Sequence, residues 1–310
     1  MQFFEEDYVD KRGVISLGEA FIDYISIDDT NKKYERYLGG ATVNVAAGVS
    51  QLGIPSYYLC KLGTDDNSRF VEEELRKANV RIEYCVRTPI KQVCGVYVHL
   101  TESGEREFHS YHNPTPDEVL TADQLDKQLF KQARMFYFGS GTLFLPKALE
   151  TTEKALEYSK EAKTMVAFDV NLRLKRWASE DHCRKTVQSF LSHVDIVKVA
   201  EEELCFLTKT TSLAEGIAAA SHWKIPYLFI TLGSEGAYVV AAERGEHIPG
   251  ETVQIIDTTG AGDAFMAALL GRFHENVNPT FAELREYTKY ANHIGALATT
   301  KVGSLTDIEK

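Results

Sequence analysis

Residues 257–265 read Asp-Thr-Thr-Gly-Ala-Gly-Asp-Ala-Phe, and the reading of the whole chain turns on them. They follow an apolar segment, residues 253–256 (VQII), and open a run apolar at Phe265, Met266, Ala268, Leu269 and Leu270. The pattern predicts a strand, a tight turn and a helix. Gly260 and Gly262 let the backbone turn sharply, and the first N–H groups of the helix have no intrahelical acceptor. Those donors and the positive end of the helix dipole make an anion site at Gly260, Ala261 and Gly262. Asp263 falls in the first turn, where a carboxylate beside a bound phosphate suits a general base that takes a proton from an attacking hydroxyl. A plainer reading stays open at this point, a helix N-terminus capped by Thr and Asp. The stretch is not a G-x-x-x-x-G-K-S/T phosphate loop. It is not G-x-G-x-x-G either, because Phe265 stands at the last position, and H-R-D is absent from the chain.

Outward from this turn, the chain alternates strand and helix patterns. Strands are predicted at 13–18, 56–63, 133–138, 165–169, 196–199 and 227–232, with edge strands at 236–242 and 247–249. Helices are predicted at 41–52, 67–78, 147–162, 180–192, 201–207, 213–222 and 261–273. Residues 121–124 (TADQ) read as a capping box opening a helix to residue 132. Asn278 and Pro279 read as the N-cap and first turn of a last helix reaching residue 300. Repeated β-α-β units imply a mostly parallel sheet with helices on both faces. Two segments, about 19–37 and 93–113, alternate apolar and polar residues instead, and the second carries a hairpin turn at 102–105 (ESGE). They are predicted to form a small antiparallel sheet beside the main one. No Ser/Gly/Pro linker or internal repeat divides the 310 residues. At ~150 residues per domain this leaves two domains or one large one. The expectation is one domain over 1–310 with the small sheet as a lid.

Composition excludes several function classes. Asp+Glu 45 against Lys+Arg 34 gives a net charge of −11, and the densest basic stretch, residues 172–177 (LRLKRW), is too short for a nucleic-acid stripe. No run approaches the ~18 apolar residues of a membrane span. The opening residues MQFFEEDYVDKRG are acidic and lack the apolar core of a signal or transit peptide. The five cysteines are odd in number and form no C-x-x-C, which fits reduced thiols and a cytoplasmic location. No Cys/His set has zinc spacing, and strict alternation puts His109 and His112 on opposite faces of their strand.

DTTGAGDAF resembles the C-terminal signature of the ribokinase-like (PfkB) carbohydrate kinases. Residues 39–46 (GGATVNVA), followed by Gly53 and residues 61–65 (KLGTD), resemble that family's N-terminal signature. Residues 231–236 (TLGSEG) and the tail from Asn292 through Gly303 resemble two further family stretches, and all four occur in family order. The resemblance implies an α/β, three-layer αβα ribokinase-like fold with a β lid. It also implies transfer of a phosphoryl group from ATP, with Mg²⁺, to a sugar hydroxyl. By resemblance Asp263 is the base and Gly260, Ala261 and Gly262 are the anion hole. Asp23, Gly39, Gly40 and Asn44 contact the sugar. Thr231, Gly233, Gly236, Gly262 and Asn292 contact the nucleotide, as does Arg173 through its guanidinium. Glu203 matches the glutamate of an Asn-x-x-Glu motif linked to Mg²⁺ through water, with Ala200 standing where Asn is usual. Asp257, Thr259, Ala298, Lys301 and Gly303 match a monovalent-cation site, which implies K⁺. An exposed antiparallel sheet needs cover, so a homodimer joined through the lid is expected.

The sugar is read from three stretches. Residues 168–173 (FDVNLR) with Trp177, and residues 18–23 (GEAFID), resemble the fructokinase and 2-keto-3-deoxygluconate kinase branches. Residues 108–114 (FHSYHNP) resemble the family's F-x-x-Y-R-x-P, with His112 in place of arginine. An acid substrate wants a fixed positive charge, and an unperturbed histidine is mostly neutral at pH 7. The expectation is therefore fructokinase, D-fructose to fructose 6-phosphate. The alternatives are a 2-keto-3-deoxygluconate kinase and a non-catalytic sugar- or nucleotide-binding protein on the same fold. A dinucleotide oxidoreductase is disfavoured by the missing glycine fingerprint.

Overall fold

The structure, a computed structural model, describes residues 11–101 and 106–301. The first third of the chain forms β1 (Val14–Leu17), β2 (Phe21–Ser26), β3 (Tyr34–Gly39), α1 (Ala41–Gln51), β4 (Ser56–Leu59), β5 (Lys61–Leu62) and α2 (Asp66–Lys77). Then come β6 (Val86–Arg87), β7 (Cys94–Leu100), β8 (Arg106–His112), α3 (Lys127–Gln132), β9 (Met135–Gly139), α4 (Pro146–Ala162) and β10 (Met165–Asp169). The last part holds α5 (Glu180–Leu191), β11 (Ile196–Ala200), α6 (Glu201–Thr208), α7 (Leu213–Ala220) and β12 (Tyr227–Thr231). It closes with β13 (Ala237–Ala241), β14 (Arg244–Ile248), α8 (Ala261–Glu275) and α9 (Phe281–Ala298).

Eight strands form the main sheet in the order β14-β13-β12-β11-β10-β9-β1-β4. It is parallel from β4 to β12 and antiparallel at the β13–β14 edge. Successive residues of β9 point to opposite faces, so Phe136 and Phe138 enter one core while Met135 and Tyr137 enter the other. The first core packs β9 and β10 against α3 to α7, with Phe138 stacked on Phe168 at 4.7 Å. The second packs them against α1, α8 and α9. Burying each such side chain contributes about 1.5–3 kcal/mol. Three layers result, as the βαβ rhythm implies. The Ala, Val and Gly content of α1 lets it bury most of its circumference, against α8, the main sheet and the small sheet.

The small sheet has the order β3-β2-β7-β8 and packs its inner face on α1 and α2 through Ile22 and Leu38. It is mixed rather than wholly antiparallel, because β2 and β7 run parallel. A bulge between Tyr97 and Val98 turns His109 onto His99, with ring centroids 3.7 Å apart. Strict alternation of His109 and His112 therefore fails. The predicted turn at 102–105 lies outside the described residues.

Three local expectations are corrected. Residues 253–256 form no strand: Ile255 and Ile256 are exposed, and the Ile256 and Asp257 N–H groups bond Thr299 O at the end of α9. Beyond the β14 edge this segment crosses the surface to α8, and its apolar content misled. The capping box at Thr121 opens only a single 3₁₀ turn, and α3 begins after its own cap, Asp126. The last helix is capped by Thr280, not Asn278, because Thr280 and Glu283 satisfy each other's N–H groups.

Candidate active site

The parallel strands all point their carboxyl ends the same way, and in open α/β sheets that edge takes ligands. Here Asp169 ends β10, Lys198 lies near the end of β11 and Thr231 ends β12. Helices α1 and α8 start at the same edge, and Asn44 in the first turn of α1 donates to Asp263 Oδ2 at 2.7 Å. The α8 turn forms as the glycines predict. Gly260 has φ +81°, a left-handed conformation that side chains resist. Ala261 N–H bonds Thr258 O at 3.3 Å, and the first helical bond is Ala264 N–H to Gly260 O at 2.8 Å. The Gly262 and Asp263 N–H groups stand at the helix start with no intrahelical acceptor.

A buried ion pair faces that turn. Lys198 Nζ lies 3.1 and 3.2 Å from the two oxygens of Asp169, and both residues are buried. A Cβ on Gly262 would come within 2.9 Å of Lys198 Nζ, so glycine is what lets the ammonium reach the anion site. Burial works against the Lys198 charge, but Asp169, Glu203 and Asp263 together hold its pKa above the ordinary lysine value. Asp263 is pushed up to about 6, chiefly by burial; the Asn44 hydrogen bond pulls it down, Asp169 pushes it up, and Lys198 and Arg173 pull it down. The sequence reading assigned no role to Lys198 or Asp169. They stand 29 residues apart, and only the pairing of β10 with β11 joins them.

Asp23 on β2 has no hydrogen-bond or ion-pair partner among the described residues, and burial raises its pKa to about 6. It lies against Gly39, where a Cβ would clash with its carboxylate at 2.3 Å. Gly40, with φ +115°, leads into α1. Asn44 Oδ1 is buried and unbonded, an acceptor that the protein itself leaves unspent. Asp23, Gly39, Gly40, Asn44 and Asp263 thus share one edge, as the motifs imply.

The remaining expected residues fall nearby with varied roles. Glu203 Oε1 accepts from Leu172 N–H at 2.5 Å and Oε2 from Ala200 N–H at 2.9 Å, so both oxygens are engaged by backbone. Burial raises its pKa. Arg173 donates to Asn171 Oδ1 at 2.6 Å and to Leu172 O at 2.9 Å. Gly233 and Gly236 have φ of +61° and +92° and shape the turn after β12. Gly236 is held close to Ile248 O and Gly250 N, where a Cβ would meet them at 2.3 and 2.4 Å. Asn292 donates to Ile248 O at 2.9 Å and Pro249 O at 3.1 Å, fixing that segment on α9. Asp257 Oδ1 accepts from Thr259 N–H at 2.9 Å, and the bonds to Thr299 O bring this turn beside Ala298 and Lys301. Gly303 lies outside the described residues. No group of three His, Cys, Asp or Glu that could hold a metal occurs among the described residues.

Comparison with known proteins gives the family and the fold. Residues 11–310 match the model of the pfkB family carbohydrate kinases. Fructokinase-1 of Zea mays is 36% identical over 305 residues, covering 95% of this chain and 94% of that protein. The crystal structure of fructokinase from Vibrio cholerae O395, bound to fructose, ADP and calcium, superimposes with a TM-score of 0.84 at 32% identity, over 96% of both chains. Fructokinase from Xylella fastidiosa with bound ATP gives a TM-score of 0.86 at 26% identity, over 96% of this chain and 95% of that one. With the motif residues gathered at one edge of a shared fold, the chain belongs to the pfkB family of carbohydrate kinases.

Proposed function

We propose that this kinase transfers the γ-phosphoryl group of ATP to D-fructose, giving ADP and fructose 6-phosphate. The observation that carries the reading is the set Asp263, Asn44 and Asp23: a carboxylate tuned to about 6 at a helix N-terminus, beside a buried unspent acceptor and an unpartnered carboxylate. Such groups match a polyol, whose hydroxyls both donate and accept.

The residues fit a nucleotide with its magnesium. The orphaned Asn44 oxygen, the glycine cradle at 260–262 and the adjacent ammonium ask for a hydroxylic and anionic ligand. Bound Mg-ATP supplies the phosphoryl group and neutralises charge on its oxygens. Asp23 and Asn44 hold the sugar so that one hydroxyl meets Asp263. The ionised Asp263 accepts that hydroxyl's proton as the oxygen forms its bond to phosphorus and ADP leaves. The Gly262 and Asp263 N–H groups donate to phosphate oxygens, and Lys198 adds a fixed positive charge beneath them. Glu203 holds the start of α6 against the 171–172 loop through its two backbone hydrogen bonds, and its carboxylate would add negative charge on the side where magnesium would bind. Thr231, Gly233 and Gly236 line the nucleotide, with Asn292 shaping the wall. Arg173 supports the phosphates through its charge. The turn at Asp257 and Thr259, with carbonyls near Ala298 and Lys301, would hold a monovalent cation such as K⁺ through oxygen ligands.

We further read residues 11–301 as one kinase domain with the small sheet as lid. The lid exposes Ile27, Tyr37 and Phe108, which supports a homodimer through this sheet. Among the described residues no helix is long and apolar enough to cross a membrane, and the five free thiols fit a reducing cytoplasm.

The test is product identification. Wild-type protein with Mg-ATP and K⁺ is given D-fructose or 2-keto-3-deoxygluconate, and products are read by phosphorus NMR with ADP release. Fructose 6-phosphate from fructose supports the reading. A phosphorylated sugar acid alone replaces fructose with the acid, and no product from either removes the assigned substrate.

A further inference from the structure

Arg176 belongs to none of the quoted family signatures, yet it holds an unusual position. It closes the short turn Leu174–Arg176 after β10 and is half-buried. Its guanidinium carbon lies 4.3 Å from the ring centre of Phe144, 4.8 Å from Tyr111 and 5.7 Å from Phe21. Nη2 donates to the Tyr111 hydroxyl at 2.8 Å, and that hydroxyl donates to Cys94 Sγ at 3.3 Å. Phe21 and Tyr111 come from the small sheet, Phe144 and Arg176 from the main body. The cage therefore closes the seam between the two.

Sheet register places this cage at the acceptor site. Asp23 pairs with Val96 and Val96 with Tyr111, so the three share one face of the small sheet. Phe21, two residues before Asp23, shares that face as well. Arg176 thus lies against the face that presents Asp23. The Phe21 ring also comes within 3.6 Å of a Cβ position on Gly40, which leads into the helix carrying Asn44. A guanidinium has five N–H donors in a planar fork. One bond to a side-chain oxygen is made here, to Tyr111; the three rings hold the cation by their faces and use no donor.

We propose that Arg176 is an acceptor-specificity residue, whose uncommitted N–H donors hydrogen-bond the end of the sugar remote from Asp263. This rests on the sugar-kinase reading above. A planar fork favours two adjacent oxygens, which a ketose supplies as neighbouring hydroxyls and a sugar acid as a carboxylate.

Steady-state kinetics of wild type, Arg176→Met and Arg176→Lys test the assignment. Met keeps the length and apolar contacts without donors. Loss of hydrogen bonds to a charged donor predicts a KM for fructose about tenfold higher in Arg176→Met, with kcat and the KM for ATP changed by less than about twofold. Lys restores part of the sugar affinity. Tyr111→Phe, which frees Nη2 and keeps the cation, raises the fructose KM less. With 2-keto-3-deoxygluconate as competing inhibitor, a larger loss of its affinity than of fructose affinity in Arg176→Met shows the fork reading a carboxylate. An unchanged sugar KM in Arg176→Met overturns the proposal. So does a joint change of sugar KM, ATP KM and kcat, which marks a packing role and is checked by the melting temperature. A wild type inactive on fructose fails the substrate reading itself, whereas an active wild type matched by Arg176→Met fails only the role of Arg176.

Discussion

The two edges of the main sheet are built from similar residues and do opposite things with them. At the amino edge, Thr164 before β10 donates to Phe130 O at 2.7 Å, and Asp195 before β11 accepts from Val166 N–H at 2.8 Å. A cavity of about 1470 Å³ lies there, walled partly by Lys11, Lys131, Lys163 and Lys224. At the carboxyl edge, Asp23 has no partner among the described residues, Asn44 keeps an unspent oxygen, and Lys198 is pressed between acidic groups and a glycine turn. On the function proposed above, the size of a hollow does not mark the working end of this molecule. What marks it is buried polar capacity that the fold leaves unused, which costs stability unless a ligand satisfies it.

Four substitutions or conditions sharpen that contrast. Asp263→Ala should lose the base and with it about 10²–10⁴-fold in kcat, while nucleotide binding by calorimetry persists. Near-normal turnover would move the base elsewhere. Lys198→Met should lower kcat by about 10²–10³-fold through lost charge at the phosphoryl group, and it leaves Asp169 buried without its partner, so the melting temperature falls too. A variant that melts early but turns over normally when folded would leave the pair a structural role only. Asn44→Ala should raise the fructose KM about tenfold, because it removes a hydrogen bond to a charged carboxylate and the unspent acceptor together. At the other edge, Thr164→Val should lose about 1–2 kcal/mol of stability in denaturant unfolding and leave kcat and both KM values unchanged. A change in kinetics there would break the separation of the two edges.

Much of the carboxyl edge was legible in the sequence because its signals are local. Glycines at 260 and 262 with an acidic residue in the next turn specify a backbone shape and a charge within a few positions, and the structure has both. Gly39, Gly40 and Asn44 are local in the same way. The Asp169–Lys198 pair and the Arg176 cage were not legible, since each needs strands or sheets brought together across the fold. Residues 253–256 misled because three apolar residues in a stretch of four carry no information on whether a sheet has room for them. The start of α9 moved by two residues because a reciprocal Thr280–Glu283 cap competes with a proline signal that names only a first turn. The parallel pairing of β2 and β7 follows from topology, and alternation alone is silent on strand direction.

The central claim is that the buried carboxylate at the start of α8 is a working base held near neutrality. It is tested most directly by kcat/KM for fructose as a function of pH in the wild-type enzyme, with Mg-ATP saturating. Asp263 is protonated and idle below its pKa of about 6 and ionised above it. The account predicts activity rising with pH through that value to a plateau. A flat profile across that value, or activity falling as pH rises through it, would contradict it.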